Sequence, residues 1–387
     1  MHRKNILYLS FSGYSEYSGI SKKKLAQIKG LKECGCNVTN CYYTIDLRNG
    51  HRLWMVDDEI LVDLGGGIQA KIKKRIDYAP ILTYIEKKQI SFVYMRSEHN
   101  ANPFLIHFVR KLRDRGVKIV MEIPTFPYDQ EYLGVRRKLN LLIDRCFRRQ
   151  LAKYLDAIVT FSDKDRIFGQ RTIRISNGID FDSIPLRSPV KITDSAIHLL
   201  GVAEIHYWHG FDRVIAGMVE YYKSNPSRKV YFHIVGALSG EREEMDILPL
   251  INENDLASYV LLYGPLWGEK LDEMFNKAHF GIGSLGRHRS GIDVIRTLKN
   301  REYAARGIAF GYSETDDDFD SKEYVMKFPA NESPIDIEKI MKYCDNNTIA
   351  PSEIRESVKF LSWSHQMSIV INEIKFPSND SHRNGNG

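Results

Sequence analysis

The stretch Ser284–Gly307, SLGRHRSGIDVIRTLKNREYAARG, holds six arginines or lysines between two apolar runs, AHFGIGSL and IAFGY. Its second half predicts a short helix, LKNREYAAR, opened by Leu298, capped at Thr297 and stopped by Gly307. The open N–H groups of a helix start attract phosphate. Lys299 stands in that first turn, Arg296 lies just before it, and Glu302 follows one turn later. A carboxylate at that remove suits the two hydroxyls of a ribose, so dipole, lysine and Glu302 together fit a nucleoside diphosphate. The same spacing also fits a basic surface loop with an incidental glutamate.

Two further segments carry polar residues at predicted strand ends. Arg96 closes SFVYMR, and Glu122 opens EIPTFPYD, where Pro124 and Pro127 stiffen a polar loop containing Thr125, Tyr128 and Asp129. Arg96 and Glu122 fit an ion pair between neighbouring strand ends as well as a site. The first loop, SGYSEYSGIS, places Gly13 and Gly19 before a helix, where a missing Cβ allows close approach to a phosphate. An ordinary strand-to-helix turn explains it equally, since it lacks both G-x-G-x-x-G and the P-loop lysine. The run ETDDDFD (314–320) reads as a solvated acidic loop, because carboxylates on adjacent residues cannot all face one ion. No metal site is expected.

The elements that must position these groups alternate. Strands NILYLSF, VTNCYYTI, EILVDL, SFVYMRS, VKIVMEIP and DAIVTFS are interleaved with amphipathic helices up to about residue 176. The alternation restarts with AIHLLGVAEI, KVYFHIVGA, YVLLYGPL, HFGIGSL, GIAFGYS and YVMKF. This pattern predicts α/β architecture, with two doubly wound Rossmann-like domains facing across a cleft. The domains are expected at 1–176 and 177–362, with a helix at 363–375 packing back toward the first and a disordered tail at 376–387. In such sheets ligands bind beyond the carboxyl ends of the strands.

A length of 387 residues suits two cores. The 43% hydrophobic and 27% charged content is that of a soluble globular protein, and no apolar run approaches a membrane span. The apolar run near the start is about six residues, too short for a signal sequence, so a cytoplasmic protein is expected. Five cysteines without paired C-x-x-C spacing argue against a disulfide framework or structural zinc. Charge is uneven: residues 1–176 hold 32 Lys+Arg against 18 Asp+Glu, and residues 177–387 hold 23 against 31. The first half should therefore face something anionic. The helix RRKLNLLIDRCFRRQLAKYL sets Arg137, Lys138, Arg145, Arg148, Arg149 and Lys153 around a leucine-rich face. It reads either as a solvated face or as one resting on anionic lipid at the inner face of the membrane. The half-charge favours lipid, and no nucleic-acid recognition motif appears.

Several of these segments, in order, resemble the retaining GT-B glycosyltransferases of the large nucleotide-sugar-dependent family (group 1, or family 4, type). KNREYAARGIAFGYS resembles the donor-binding helix. RISNGIDF, with Asn177 and Gly178, resembles the segment that opens the C-terminal domain. LLGVAEIHYWHGFDRVIAGM resembles the strand, loop and helix that follow. VYMRSEHN and VMEIPTFPYDQEY look like a branch found in bacterial capsule and exopolysaccharide clusters. The resemblance implies sugar transfer, with retention, from a nucleotide diphosphate donor to a saccharide or lipid-linked acceptor, and no required cofactor. It implies donor contacts at Gly19, Asn177, Gly178, Glu204, His209, Arg296, Leu298, Lys299 and Glu302, with Lys299 stabilising the leaving diphosphate. It places the acceptor near Arg96, Thr125, Tyr128 and Asp129, with Glu122 positioning its hydroxyl or taking its proton. Where the family sets an Arg and a Lys five apart to grip the diphosphate, this chain has Glu204 and His209. The cluster Arg287–Arg301 is expected to replace that grip. A nucleotide-sugar epimerase of the same architecture, or a non-catalytic sugar-nucleotide-binding subunit, are the alternatives.

Overall fold

A computed structural model describes residues 4–15, 18–129, 135–189 and 195–374. The chain divides into two units, one of residues 1–176 with 363–387, the other of residues 177–362. The tail expected at 376–387 lies outside the described residues.

The first unit is built on a nine-stranded sheet: β1 (Asn5–Ser10), β2 (Asn37–Ile45), β3 (Arg52–Val56), β4 (Glu59–Asp63), β5 (Phe92–Arg96), β6 (Lys118–Ile123), β7 (Ala157–Thr160), β8 (Arg166–Ile167) and β9 (Gln170–Arg174), in the order β4-β3-β2-β1-β5-β6-β7-β9-β8. Ile6 to Leu9 are wholly buried, as an apolar strand covered on both faces must be. The interior pairings from β2 through β1, β5, β6 and β7 to β9 are parallel. Antiparallel hairpins finish both edges. Chain order reverses between β1 and β5, so that is where helices swap faces and a crevice opens.

Helix Gly19–Glu33 follows β1. Ser18 caps it by accepting from the Ser21 N–H, and helix Trp363–Glu373 lies along it. That approach needs Gly30: a Cβ there would come within 2.7 Å of the Trp363 carbonyl. Several elements depart from the sequence reading: the strands β8 and β9 at one edge were not expected. RLWMV forms β3, and Gly67–Ile76 is a separate helix before Ala79–Lys87.

The second unit holds β10 (Ala196–Val202), β11 (Lys229–Val235), β12 (Val260–Leu262), β13 (Phe280–Ile282), β14 (Phe310–Tyr312) and β15 (Val325–Lys327). All are parallel, in the order β12-β11-β10-β13-β14-β15. This is the doubly wound dinucleotide-fold order, and its reversal lies between β10 and β13. One continuous apolar core draws on residues from Ile179 to Leu361.

Candidate functional site

In the second unit four segments meet at the carboxyl ends of β10, β13 and β14, beside the reversal point. They are residues 203–210 after β10, 283–291 after β13, the start of helix Leu298–Arg306, and 313–316 after β14. The first two are locked together. The Leu285 N–H donates to the His209 carbonyl (3.0 Å), and Arg289 Nη1 donates to the Tyr207 carbonyl (2.8 Å). Gly210 takes φ 66°, and a Cβ there would sit 2.8 Å from Leu285 C, so this close approach of the two loops requires glycine at 210.

Most of the basic stretch is neutralised. Arg289 pairs with Asp212 and Glu332, Arg296 with Asp317, Arg301 with Asp316 and Asp318, and Arg306 with Glu302 and Asp272. The acidic run is solvated only in part: Asp317 and Asp320 are exposed, as the sequence suggested, but two of its carboxylates are not. Asp316 is fully buried, and Glu314 is buried with Oε1 accepting from the Arg287 and His288 N–H groups (2.6 and 3.2 Å). The run supplies the counter-charges of Arg296 and Arg301, and the basic stretch, so paired, does not act as one phosphate clamp.

Lys299 is the exception. Its Nζ is shut off from solvent without a hydrogen-bond partner, 5.2 Å from the centre of the Phe211 ring. Burial pushes its pKa down to about 7, and the nearby Arg287 adds to this. His209 stacks on the same ring, at 5.8 Å. Its Nδ1 accepts from the His206 N–H (3.0 Å), so Nε2 carries the proton of the neutral ring. Burial, with Lys299 and Arg287 beside it, holds His209 well below the usual imidazole range. Around these two, Asn177 Oδ1, Ser284 Oγ, Thr297 Oγ1, Asn300 Oδ1 and Glu314 Oε2 are also buried without partners. Native interiors leave few such groups, and each needs an explanation. Six of them gathered at one strand end, counting Lys299 Nζ, form a set of donors and acceptors that a bound polar ligand would satisfy.

The remaining expected donor residues fall around this cluster, with two exceptions. Asn177 Nδ2 donates to the Arg296 carbonyl, which ties residues 177–178 to the helix start; Gly178 is buried, and Ile179 N–H donates to the Leu361 carbonyl (2.7 Å). Leu298 is the first residue of the helix, and Thr297 caps it without a side-chain bond. Glu302 gives Oε1 to Arg306 (3.0 and 3.1 Å), leaving its second oxygen without a protein partner. Glu204 is exposed and makes no hydrogen bond or ion pair, so it does not orient His209. Gly19 belongs to the first unit; a Cβ on it would meet nothing within 4 Å, so contact with the protein does not require glycine there.

In the first unit the expected acceptor residues are mostly engaged with one another. Glu122 is wholly buried. Its Oε2 accepts from Gln27 (2.6 Å) and Tyr94 (2.5 Å), and its Oε1 lies 3.2 Å from Lys23 Nζ and 3.6 Å from Arg96 Nε. Burial alone would raise its pKa, but Lys23 and Arg96 hold it below the usual carboxylate range. A carboxylate so enclosed is a counter-ion, and no acceptor hydroxyl reaches it. Tyr128 turns into the core rather than outward, stacks on His99 (3.7 Å) and donates to Asp144 (2.6 Å). Asp129 is held by Arg145 and Arg148 (2.8 and 2.7 Å). Thr125 is half-buried.

The sequence reading missed Ser284 and Asn300, which bear no charge and gain meaning only from their position. It also missed Lys23, Lys24 and Gln27. These sit in a helix whose KKK run looks solvent-facing, yet Lys23 and Lys24 are buried.

No family model matches the chain, and no curated protein does. Solved structures do. Sucrose-phosphate synthase from Thermosynechococcus elongatus is 14% identical, with 96% of this chain and 99% of that one covered at a TM-score of 0.65. The catalytic domain of starch synthase IV from Arabidopsis thaliana, bound to ADP and acarbose, is 10% identical over 96% and 99% of the chains, TM-score 0.64. HepE from Anabaena in complex with UDP-glucose is 14% identical over 96% and 100%, TM-score 0.59. The fold of this chain is thus GT-B, with two Rossmann-like α/β units.

Proposed function

We propose that the protein is a nucleotide-sugar-dependent glycosyltransferase whose donor diphosphate binds at the start of helix Leu298–Arg306. The observation that carries this reading is Lys299. A buried ammonium without a partner costs free energy in the unliganded fold, and an anion at the adjacent helix start would offset that cost. Binding turns the ammonium from the Phe211 ring to the diphosphate. As the glycosidic bond breaks, negative charge grows on the leaving diphosphate, where Lys299, the helix N–H groups and His209 Nε2–H stabilise it. Glu302, with one oxygen uncommitted, takes the ribose hydroxyls, and Glu204 is free to meet the transferred sugar. Similar folds holding ADP or UDP-glucose support a nucleotide-linked donor. Retention and a place in capsule or exopolysaccharide assembly rest on the sequence resemblance, as does the saccharide or lipid-linked acceptor.

An anionic membrane surface is the proposed partner of the first unit, at the inner face of the cytoplasmic membrane. Helix Gly67–Ile76 exposes Ile68, Ile72 and Ile76 among Lys71, Lys73 and Arg75. It packs beside helix Pro103–Asp114, which exposes Phe104, and that helix packs beside Val135–Ala152, which exposes Leu139, Leu142 and Ile143. Apolar side chains ringed by lysine and arginine suit anionic lipid. No helix among the described residues is long and apolar enough to cross a membrane.

Release of UDP, ADP or GDP from the corresponding sugar nucleotides, with and without candidate acceptors, tests the enzymatic reading. Acceptor-dependent release supports transfer. An altered donor sugar without acceptor indicates epimerisation, and binding without turnover indicates a non-catalytic subunit.

A further inference from the structure

The first unit buries more positive charge than it neutralises. Ser10, Arg96 and Glu122 stand side by side in register at the carboxyl ends of β1, β5 and β6, where the chain order reverses. Three cations gather on this row. Lys23 is matched by Glu122. Lys24 is buried, and its Nζ donates only to neutral oxygens: the carbonyls of Gly13 (2.7 Å) and Ser12 (3.1 Å) and the hydroxyls of Ser10 (3.2 Å) and Ser12 (3.5 Å). Arg96 is 7% exposed, and its side chain makes no hydrogen bond among the described residues. Its one polar contact is Nε at 3.6 Å from Glu122 Oε1, and Nε itself is sealed from solvent. Glu98 bears on Lys24 through space without forming a bond.

Arginine carries five donors, and buried arginines ordinarily spend them on carboxylates, carbonyls or a ligand. Here the nearest carboxylate already serves Lys23, Gln27 and Tyr94, so three buried cations share one buried carboxylate. We infer that Arg96 and Lys24 form an oxyanion subsite at the reversal point of the first sheet, which takes a phosphate or carboxylate group of the sugar acceptor. Glu122 is the positioning residue of this subsite; it holds Arg96 from behind and leaves the guanidinium edge for the ligand. The assignment of that group to an acceptor rests on the transferase reading, whereas the subsite itself does not. An acidic or phosphorylated saccharide would satisfy the fork bidentately, with the lysine adding charge.

The test uses the full chain with saturating UDP, so that the second unit's site is filled. Binding of glucose 6-phosphate, glucuronate and glucose is measured by calorimetry on the unaltered protein and on Arg96→Gln, Arg96→Lys and Lys24→Met. At least one of the two acidic sugars should bind at least tenfold more tightly than glucose; which one does so distinguishes phosphate from carboxylate. Arg96→Gln and Lys24→Met should each remove that preference, while UDP affinity stays within about twofold. Arg96→Lys, which keeps the charge but loses the fork, should fall between. Thermal melting in phosphate against chloride at equal ionic strength is the second measurement, and phosphate should raise the midpoint in the unaltered chain but not in Lys24→Met. Equal binding of all three sugars together with no phosphate-specific stabilisation overturns the subsite, as does full retention of both effects in the variants. Failure of UDP to bind strikes at the donor reading instead and leaves the phosphate melting comparison to decide this one.

Discussion

Raising the pH through 7 should weaken nucleotide-sugar binding, because Lys299 then loses the proton that the diphosphate needs. The burial that isolates its Nζ sets the free protein's pKa at about 7, against an ordinary value of 10.5. Below that pH the ammonium is present and affinity is flat. Above it the protein must take up a proton to bind. Each pH unit then costs about 1.4 kcal/mol, or tenfold in affinity, until the raised pKa of the complex is passed. Two phosphate charges beside the ammonium keep the complex protonated well above neutrality. Affinity at about pH 9 should therefore be roughly a hundredfold below that at pH 6. Sugar nucleotides suit the assay because their phosphodiester charges do not titrate in this range. Calorimetry at about pH 8, in two buffers of different ionisation enthalpy, should show uptake of close to one proton per UDP-glucose bound. Lys299→Met should bind weakly, with no proton uptake and a flat profile. Flat affinity in the unaltered protein, or an unchanged slope in Lys299→Met, rules out Lys299 as the group that must be protonated to bind.

Lys299→Ala should lower kcat by about a hundredfold if the ammonium stabilises the leaving diphosphate; near-normal turnover in a nucleotide-release assay removes it from the site. Glu122→Gln leaves Lys23 and Arg96 without their counter-ion, and chemical denaturation should show a loss of roughly 3–5 kcal/mol. Gly30→Ala drives a methyl group against the Trp363 carbonyl and should cost roughly 1–3 kcal/mol on the same assay. Exchanging Lys71 and Arg75 for glutamine should weaken sedimentation with phosphatidylglycerol vesicles roughly tenfold, with no effect on phosphatidylcholine; equal losses on both lipids count against an electrostatic surface.

The two sheets were legible because parallel strands covered on both faces read as apolar runs, and β1, β5 and β10 are such runs. Helix Gly67–Ile76 was not, because only Ala70 of it is buried. Its isoleucines face outward, so their spacing signals a surface rather than a core contact. In the site, Thr297, Lys299 and Gly307 were readable from helix-end chemistry, which is local. Charge pairing was not. Arg301 with Asp316, and Arg289 with Asp212 and Glu332, join segments far apart in sequence. Only the folded chain shows that they cancel and that Lys299 stays unmatched. Glu122 misled for a related reason: its partner Lys23 lies on a helix that its KKK run alone assigns to solvent.

A crystal structure of the chain with UDP-glucose tests whether Lys299 and the helix start hold the diphosphate. The diphosphate should lie within hydrogen-bond distance of Lys299 Nζ and of the first N–H groups of helix Leu298–Arg306, with the ribose at Glu302. A nucleotide bound elsewhere, with Lys299 still turned to Phe211, contradicts that placement.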